Sequence, residues 1–412
     1  MRRSRHPLAE TLRESRGNQK AVILTEPLWG IPFNLFMPYM SVYMLSLGVD
    51  DRGIGLITTI GLSLQVVAAI LGGPVTDKLG RKRATFIFDC LSWSIPCLIW
   101  AFARNIWWFI AAALFNALMQ IPRTSWTCLL VEDAPDRQLV NIWSLISIAV
   151  MLSGFAAPIA GALVSRFTLV PTVRGLFAFG FLMMTTKFVT LNHFAEETTV
   201  GRRRREETEH QSLRALLSQY RGVISTLLRN RATVAAIFIL LAVMIYNTVR
   251  NAFWAVLLTE GLLFPAEALS WFHALRSAIL LALYLLVVPR LDHSRVTRPL
   301  LVGFSLTALG LVCLIAAPAR SVLFVVTATI LEASGYAISG PFMETLLVRA
   351  VDPAERARIL ALANVTVIAI TSPFGWVAGV LSERAKAMPF VLLLGIMILA
   401  VGAILVYRRR RR

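Results

Sequence analysis

Three ionisable side chains, Arg250, Arg276 and Glu332, fall within long apolar segments of the sequence. At a helical rise of about 1.5 Å per residue, all three lie roughly 13–17 Å from the same predicted face of a membrane. An ionised group in hydrocarbon is costly unless it is paired or hydrated. We therefore expect a polar cluster lining a water-filled cavity, where Glu332 takes up protons and the arginines attract an anionic or polar group. A buried ion pair that only holds helices together is the alternative.

Other side chains in apolar segments are candidates for the same path. His273 lies one helical turn from Arg276, and the first half of the chain offers Glu26, Asn34 and Arg123. Packing in the core is the alternative for these first-half residues. Asp89 and Lys187 lie near the ends of their segments, so we expect their polar ends to reach water.

A short charged segment separates the second and third apolar segments. It reads GGPVTDKLGRKR over residues 72–83 and contains Gly73, Asp77, Gly80, Arg81, Lys82 and Arg83. Glycines permit close helix approach and positive φ, and a carboxylate can accept hydrogen bonds from an arginine. We expect a charge cluster that forms in one conformation and breaks in another, extended by Glu132 and Asp133 after the fourth segment. A basic turn that only fixes orientation is the alternative.

The spacing Gly, three residues, Asp, two residues, Gly-Arg-Lys-Arg resembles the signature loop of the major facilitator superfamily of secondary transporters. Val75 stands where that family usually has leucine. The resemblance implies an all-α membrane protein with twelve transmembrane helices in two pseudo-symmetric six-helix bundles. It implies solute transport without a cofactor or a metal.

The composition independently indicates a membrane protein. The chain has 412 residues, of which 57% are hydrophobic and 16% charged, with a mean hydropathy of +0.69. Its net charge of +18 is concentrated in the tails and in alternate connections, which is typical of the positive-inside rule and not of nucleic-acid binding. We expect a multi-pass protein of the plasma membrane with both termini cytoplasmic.

Twelve segments are long enough to cross a bilayer, since about 20 apolar residues suffice. They are 22–47, 53–76, 84–103, 106–130, 139–165, 172–194, 232–259, 267–290, 298–318, 321–348, 355–382 and 386–408. The predicted organisation is a tail (1–21), a first bundle (22–194), a central cytoplasmic segment (195–231), a second bundle (232–408) and a basic tail (409–412).

Weak repetition between the halves supports this division. Pro135, Gly161 and Arg166 recur as Pro353, Gly379 and Arg384, and Asp77 has a counterpart in Asp292. Transporters built from structural repeats show such similarity, with the substrate path between the repeats.

The sequence contains no phosphate-binding loop, nucleophile elbow or metal-ligand spacing, and its four cysteines are scattered in apolar segments. The prediction is therefore no enzyme, but a secondary transporter that moves a small organic solute by alternating access. We expect proton coupling and function as a monomer. The small residues and Pro158 of the fifth segment resemble the glycine-proline pattern of antiporters in this superfamily, and that resemblance favours export. Uptake by a symporter or facilitator of the same fold is an alternative. A non-transporting sensor or scaffold is another.

Overall fold

The structure, a computed structural model, describes residues 7–135, 138–208, 231–291, 296–350 and 356–410. Every regular element in these ranges is helical. The repeat positions Asp292 and Pro353 lie outside the described residues, as do Arg411 and Arg412 of the predicted basic tail.

Helices before the central segment follow in this order: α1 (Pro7–Glu14), α2 (Gly17–Phe36), α3 (Met40–Ser46), α4 (Asp51–Leu79), α5 (Arg81–Asp89), α6 (Ile95–Ala101), α7 (Ile106–Asn116), α8 (Gln120–Val131), α9 (Leu139–Ser153), α10 (Ala157–Phe167) and α11 (Leu169–Phe194). The remaining helices are α12 (Thr199–Thr208), α13 (Arg231–Val256), α14 (Ala268–Leu286), α15 (Thr297–Ile315), α16 (Val322–Ala350), α17 (Arg356–Arg384) and α18 (Met388–Arg410).

Within the described ranges, ten helices or directly joined helix pairs are long and apolar enough to cross a membrane. The chain is therefore a multi-pass membrane protein. The first and fourth predicted spans do not meet this criterion, although both are helical. Short 3-10 turns, Met37–Tyr39 and Ala117–Met119, interrupt both. Helix α2 is 20 residues long, but it contains Asn18, Gln19, Lys20, Glu26 and Asn34, which lower its hydropathy.

The charged segment 72–83 is mostly helix and not an extended loop. Helix α4 continues through the residues before Gly80, and α5 begins at Arg81, so Gly80 alone makes the turn. Its φ of +83° is favourable for glycine only. A side chain there would also clash with the carboxylate of Glu197.

At the end of α4 remote from Gly80, α4 packs against α17 with almost no side chain between the backbones. A Cβ placed on Gly55 would lie 2.5 Å from the carbonyl oxygen of Gly375 and 3.0 Å from the Cα of Gly379. Small residues of this kind let membrane helices approach closely. The ion pair between Lys386 and Asp51, 2.7 Å long, closes the same end.

The side chain of Thr59 on α4 inserts into the backbone of α17. Its Oγ1 donates to the carbonyl oxygen of Ser372 at 2.9 Å and accepts from the backbone N–H of Trp376 at 2.8 Å. A hydroxyl thus bridges two groups that a regular α-helix would pair with each other.

A second close contact joins α10 to α14. A Cβ on Gly161 would clash with the Ser270 hydroxyl, and one on Gly154, just before α10, would clash with the hydroxyl of Ser277. Helices from before and after the central segment are therefore in contact along two lines.

Candidate functional site

A cavity of about 520 Å³ lies between α13, α14, α16 and the 3-10 turn that follows α2. Its walls combine aromatic, amide and cationic side chains. They include Met37, Pro38, Met244, Asn247, Arg250, Asn251, Trp254, Phe272, His273, Arg276 and Tyr336. The volume is in the range of pockets that hold drug-sized molecules.

Glu332 and Arg250 form a buried ion pair at the cavity wall. Glu332 Oε2 accepts from Arg250 Nε and from the Tyr246 hydroxyl, each at 2.7 Å. Glu332 is 2% exposed, and its other oxygen, Oε1, is buried without a hydrogen-bond partner among the described residues. The guanidinium of Arg250 also lies 5.2 Å from the ring centroid of Trp254. The two side chains predicted to share a depth are thus in direct contact.

Arg276 is different, because no acidic side chain in the described part of the chain pairs with it. Its guanidinium lies 5.8 Å from the ring centroid of Tyr336, which is a cation–π contact. Its Nη1 atom is buried and has no hydrogen-bond partner in the described ranges. An unpaired buried cation at a cavity wall is expensive without a ligand or water to solvate it.

His273 reaches across to the first half of the chain. Its Nε2 lies 2.8 Å from Asn34 Oδ1. The amide nitrogen of Asn34 donates to the carbonyl of Gly30 at 2.7 Å, which leaves Oδ1 as the acceptor and Nε2 of His273 as the donor. This hydrogen bond brings together two residues that the sequence placed on the path independently.

The other two predicted path residues of the first half lie elsewhere. Arg123 is exposed and does not line this cavity. Glu26 accepts from Lys187 Nζ at 2.8 Å in a second buried ion pair, with Lys187 5.8 Å from the ring centroid of Trp29. The expectation that Lys187 extends to water is therefore wrong. Asp89, which is also buried, lies within electrostatic range of both charges.

Removing one member of the pair between Glu26 and Lys187 should destabilise the protein strongly. Lys187→Met leaves two buried carboxyl groups without a cation, and breaking a buried pair typically costs about 3–5 kcal/mol. Thermal unfolding in detergent measures the loss. Arg52→Gln, which breaks a pair with Glu383 whose side chains are 59% and 39% exposed, is the control and should change little. Equal effects in both variants would contradict the assignment of a buried charge pair.

A second charged site surrounds Gly80, and we name it the Gly80 cluster: Asp77, Arg81, Glu132, Glu197 and Arg204. Arg81 donates to Asp77 Oδ1 at 2.9 Å and to Glu132 Oε1 at 3.0 Å. Glu197 accepts the backbone N–H groups of Arg81 and Lys82 at 2.9 and 3.2 Å. A carboxylate at the start of a helix satisfies donors that otherwise lack partners.

Helix α12 completes the Gly80 cluster from within the central segment. Arg204 donates to Asp77 Oδ2 at 3.1 Å, and Asp77 raises the pKa of the Arg204 guanidinium above its ordinary value. Asp133 accepts from Thr199 Oγ1 at 2.6 Å and not from the bases of residues 81–83, so its predicted pairing with them is wrong. Lys82 and Arg83 form no ion pair among the described residues, and Gly73 lies inside α4.

Sequence reasoning missed α12, Glu197 and Arg204. A signal was present, because Thr198 directly precedes the helix, and its Oγ1 accepts from the N–H of Gly201 at 2.9 Å as a helix cap does. Within the described ranges, no three His, Cys, Asp or Glu side chains are arranged to hold a metal ion, and the four cysteines are free.

Apolar helices around a cavity with buried charges define a membrane transporter, and comparison with known proteins gives its family. The sequence model of the Major Facilitator Superfamily matches residues 28–375. The chain belongs to this family. By family it is accordingly a membrane transporter and not an enzyme.

Solved transporters of low sequence identity share the fold. The structure is similar to that of the nucleoside transporter NupG, with a TM-score of 0.71 and 13% identity over 94% of this chain and 98% of that one. It is also similar to the human organic anion transporter MFSD10 (TETRAN), with a TM-score of 0.66 and 15% identity over 97% and 100%.

Curated relatives match over a smaller part of the chain. The multi-drug resistance efflux pump PmrA of Streptococcus pneumoniae is 25% identical over 169 residues, which are 39% of this chain and 42% of PmrA. The multidrug resistance protein MdtG of Yersinia enterocolitica is 26% identical over 170 residues, 40% of this chain and 37% of MdtG. The matched segment thus spans less than half the length of these relatives.

Proposed function

We propose that this chain is a secondary active transporter that moves a small organic solute by alternating access, as a monomer. In this proposal twelve spans form two six-helix halves, 22–194 and 232–408, and the solute binds in the 520 Å³ cavity. The observation that carries the proposal is the pair between Arg250 and Glu332 at the wall of that cavity. Buried charges in a membrane protein face a pathway or a partner, and here Arg250 faces a space large enough for a ligand.

The proposed orientation places both termini and α12 in the cytoplasm of a cell whose plasma membrane holds the protein. The Gly80 cluster is then at the cytoplasmic end of the first half, where the basic residues predict it. The contact of Gly55 with Gly375 and Gly379 is at the outer end, so this conformation is closed to the outside.

Proton coupling through Glu332 is the second part of the proposal. Protonation of Glu332 would remove the charge that holds Arg250 and so change what Arg250 can bind. The titratable and cationic groups around it are Tyr246, Arg250, Arg276, His273 and Tyr336. Transport coupled in this way needs no nucleotide.

Export is the favoured direction, because the partial relatives PmrA and MdtG are named as an efflux pump and a multidrug resistance protein. Symport into the cell is the second candidate, and the 2.7 Å contact between Arg250 and Glu332 favours it. If protonation frees Arg250 to hold an anionic solute, protons and solute bind together and move together. Solute affinity measured at two pH values separates the two, because symport requires tighter binding at the lower pH and antiport requires weaker binding.

Flux through reconstituted protein tests the proposal. Purified protein in liposomes is given a pH gradient, and the accumulation of labelled nucleosides, sugars, amino acids, organic acids and lipophilic cations is followed. Accumulation of at least one solute that a protonophore abolishes supports transport. If no solute accumulates, and Arg250→Gln behaves as the wild type in every assay, the chain is a sensor or scaffold.

The outer closure gives a further prediction. Gly55→Ala places a methyl group against the backbone of α17 and should hold α4 and α17 apart, which favours the outward-open state. A single cysteine placed in the cavity should then react faster with a membrane-impermeant maleimide added outside. Gly61→Ala on the same helix is the control, since a Cβ there would meet only the Cβ of Ala113 at 3.9 Å. Unchanged labelling in Gly55→Ala would contradict the outer-gate assignment.

A further inference from the structure

We infer that the 520 Å³ cavity binds an organic anion with a flat apolar body, and that Arg276 holds the anionic group. The inference gives a substrate class to the transporter proposed above and depends on that proposal for its physiological meaning. Binding itself is a property of the cavity at equilibrium and can be tested without any flux.

The charges at the cavity do not balance. Two guanidinium groups, Arg250 and Arg276, line the cavity, and one carboxylate, Glu332, lies behind its wall. Glu332 uses its Oε2 for Arg250 and Tyr246, so the charge of Arg250 is compensated. The charge of Arg276 has no counterpart in the described part of the chain. A ligand that brings a carboxylate, sulfonate or phosphate would supply it through charge-assisted hydrogen bonds.

Arg276 is also oriented to bind an anion. Stacking on Tyr336 orients the guanidinium without using its N–H donors, and no hydrogen bond to another described residue occupies them. An anion in the cavity can therefore bind the guanidinium without displacing another side chain. Arg250 cannot serve equally, because an anion there must first displace Glu332.

The apolar walls of the cavity indicate the shape of the rest of the ligand. Trp254 and Phe272 form an edge-to-face pair, with ring centroids 6.3 Å apart at 85°, and both rings line the cavity. Met37 and Met244 add polarisable, adaptable surface on other walls. Aromatic and thioether walls favour a flat apolar body. Asn247 and Asn251 offer neutral hydrogen bonds beside it.

The same walls argue against cations. No carboxylate is among the described lining residues, and the nearest acid, Glu332, is covered by Arg250. A lipophilic cation would therefore meet the field of Arg276 with nothing to offset it. The names of the partial relatives PmrA and MdtG, by contrast, specify no charge for the solute.

Calorimetric titration with three indoles tests the inference. Indoleacetate, indoleacetamide and tryptamine share one ring system and carry a negative, a zero and a positive charge at neutral pH. Titrated into purified protein in detergent, indoleacetate should bind about tenfold tighter than indoleacetamide, the effect of one charge-assisted contact. Tryptamine should bind weakest. Equal affinities, a preference for tryptamine, or no heat from any of the three at millimolar concentration would overturn the inference.

Two variants of Arg276 locate the charge that is responsible. Arg276→Gln should remove the preference for indoleacetate over indoleacetamide, whereas Arg276→Lys should keep most of it. Arg298→Gln, at an exposed position of α15, is the matched control and should leave the preference unchanged. If Arg276→Gln unfolds, the ligand series on the wild type still tests the preference for an anion, and loss of that preference in folded Arg276→Lys would still overturn the assignment. Retained selectivity in folded Arg276→Gln would overturn the assignment.

The outcome is separable from that of the transporter proposal. Selective binding of indoleacetate without gradient-driven accumulation would support the anion site and contradict transport. Accumulation of cationic solutes with no selectivity for indoleacetate would support transport and overturn the anion site.

Discussion

Asp77→Asn should reduce flux by about tenfold or more while the protein remains folded and inserted, because each charge-assisted hydrogen bond to Asp77 contributes roughly 1.5–3 kcal/mol. The carboxylate accepts from Arg81 on one oxygen and from Arg204 on the other, so it joins α4, α5 and α12. Asparagine keeps the shape, but its amide group would direct N–H donors at a guanidinium. In the proposed alternating-access cycle, the conformation that contains the Gly80 cluster would lose population. Initial rates in liposomes, normalised to inserted protein, measure the effect.

The matched control lies on the same helix as Arg204. Arg203 is 69% exposed and, among the described residues, forms an ion pair with Glu207 alone, at 3.6 Å, so Arg203→Gln should leave flux nearly unchanged. Arg204→Gln should give an intermediate loss, since Arg81 would still hold Asp77. Wild-type flux in Asp77→Asn would show that the Gly80 cluster fixes topology alone. An equal loss in Arg203→Gln would point to the general charge of α12.

Glu332→Gln should abolish accumulation driven by a pH gradient and leave exchange without a gradient in place. Glutamine can still accept from Arg250 and Tyr246 through its amide oxygen, so the wall of the cavity should keep its shape. The variant resembles a permanently protonated glutamic acid, and it cannot release a proton in any state. Because Arg250 then carries an uncompensated charge, anion affinity should stay the same or rise. Accumulation with and without a protonophore measures coupling, and counterflow measures exchange.

Two outcomes would move the proton site. If Glu332→Gln retains full coupling, the buried group around Lys187 is the next candidate, because Glu26 and Asp89 provide two acids for one base. If exchange is lost together with coupling, Glu332 holds the structure of the cavity and is not the proton site. Glu26→Gln, measured in parallel, distinguishes a second proton site from a purely structural pair.

The family, the membrane topology class and the position of the charged turn followed from local sequence signals. Hydropathy located apolar helices because the bilayer imposes their length. Glycine and charge spacing located Gly80 because a one-residue turn with positive φ accepts little else. Equal depth along different helices also placed Arg250 and Glu332 close together before any contact was known.

Contacts between distant segments could not be predicted in the same way. The pairing of Glu26 with Lys187 joins α2 to α11, and nothing in either local sequence specifies the other partner. Polar composition identified 195–231 only as a central cytoplasmic segment, yet Arg204 and Glu197 of this segment contact Asp77 and Arg81. Arg250 and Arg276 have the same predicted depth in the membrane. Which of them reaches Glu332 depends on the rotation of each helix about its axis, and depth does not specify that rotation.

The hydroxyl of Thr59 can keep the polar groups at the contact between α4 and α17 hydrogen-bonded whether or not these helices touch. While the helices touch, this group serves the carbonyl of Ser372 and the N–H of Trp376. When they part, those two backbone groups can bond each other directly, and Thr59 can turn to a carbonyl of its own helix. Each of these polar groups then has a hydrogen-bond partner in both states, so in the proposed cycle separation would leave none of them unpaired in lipid. Such an exchange would let the proposed outer gate open and close at low cost.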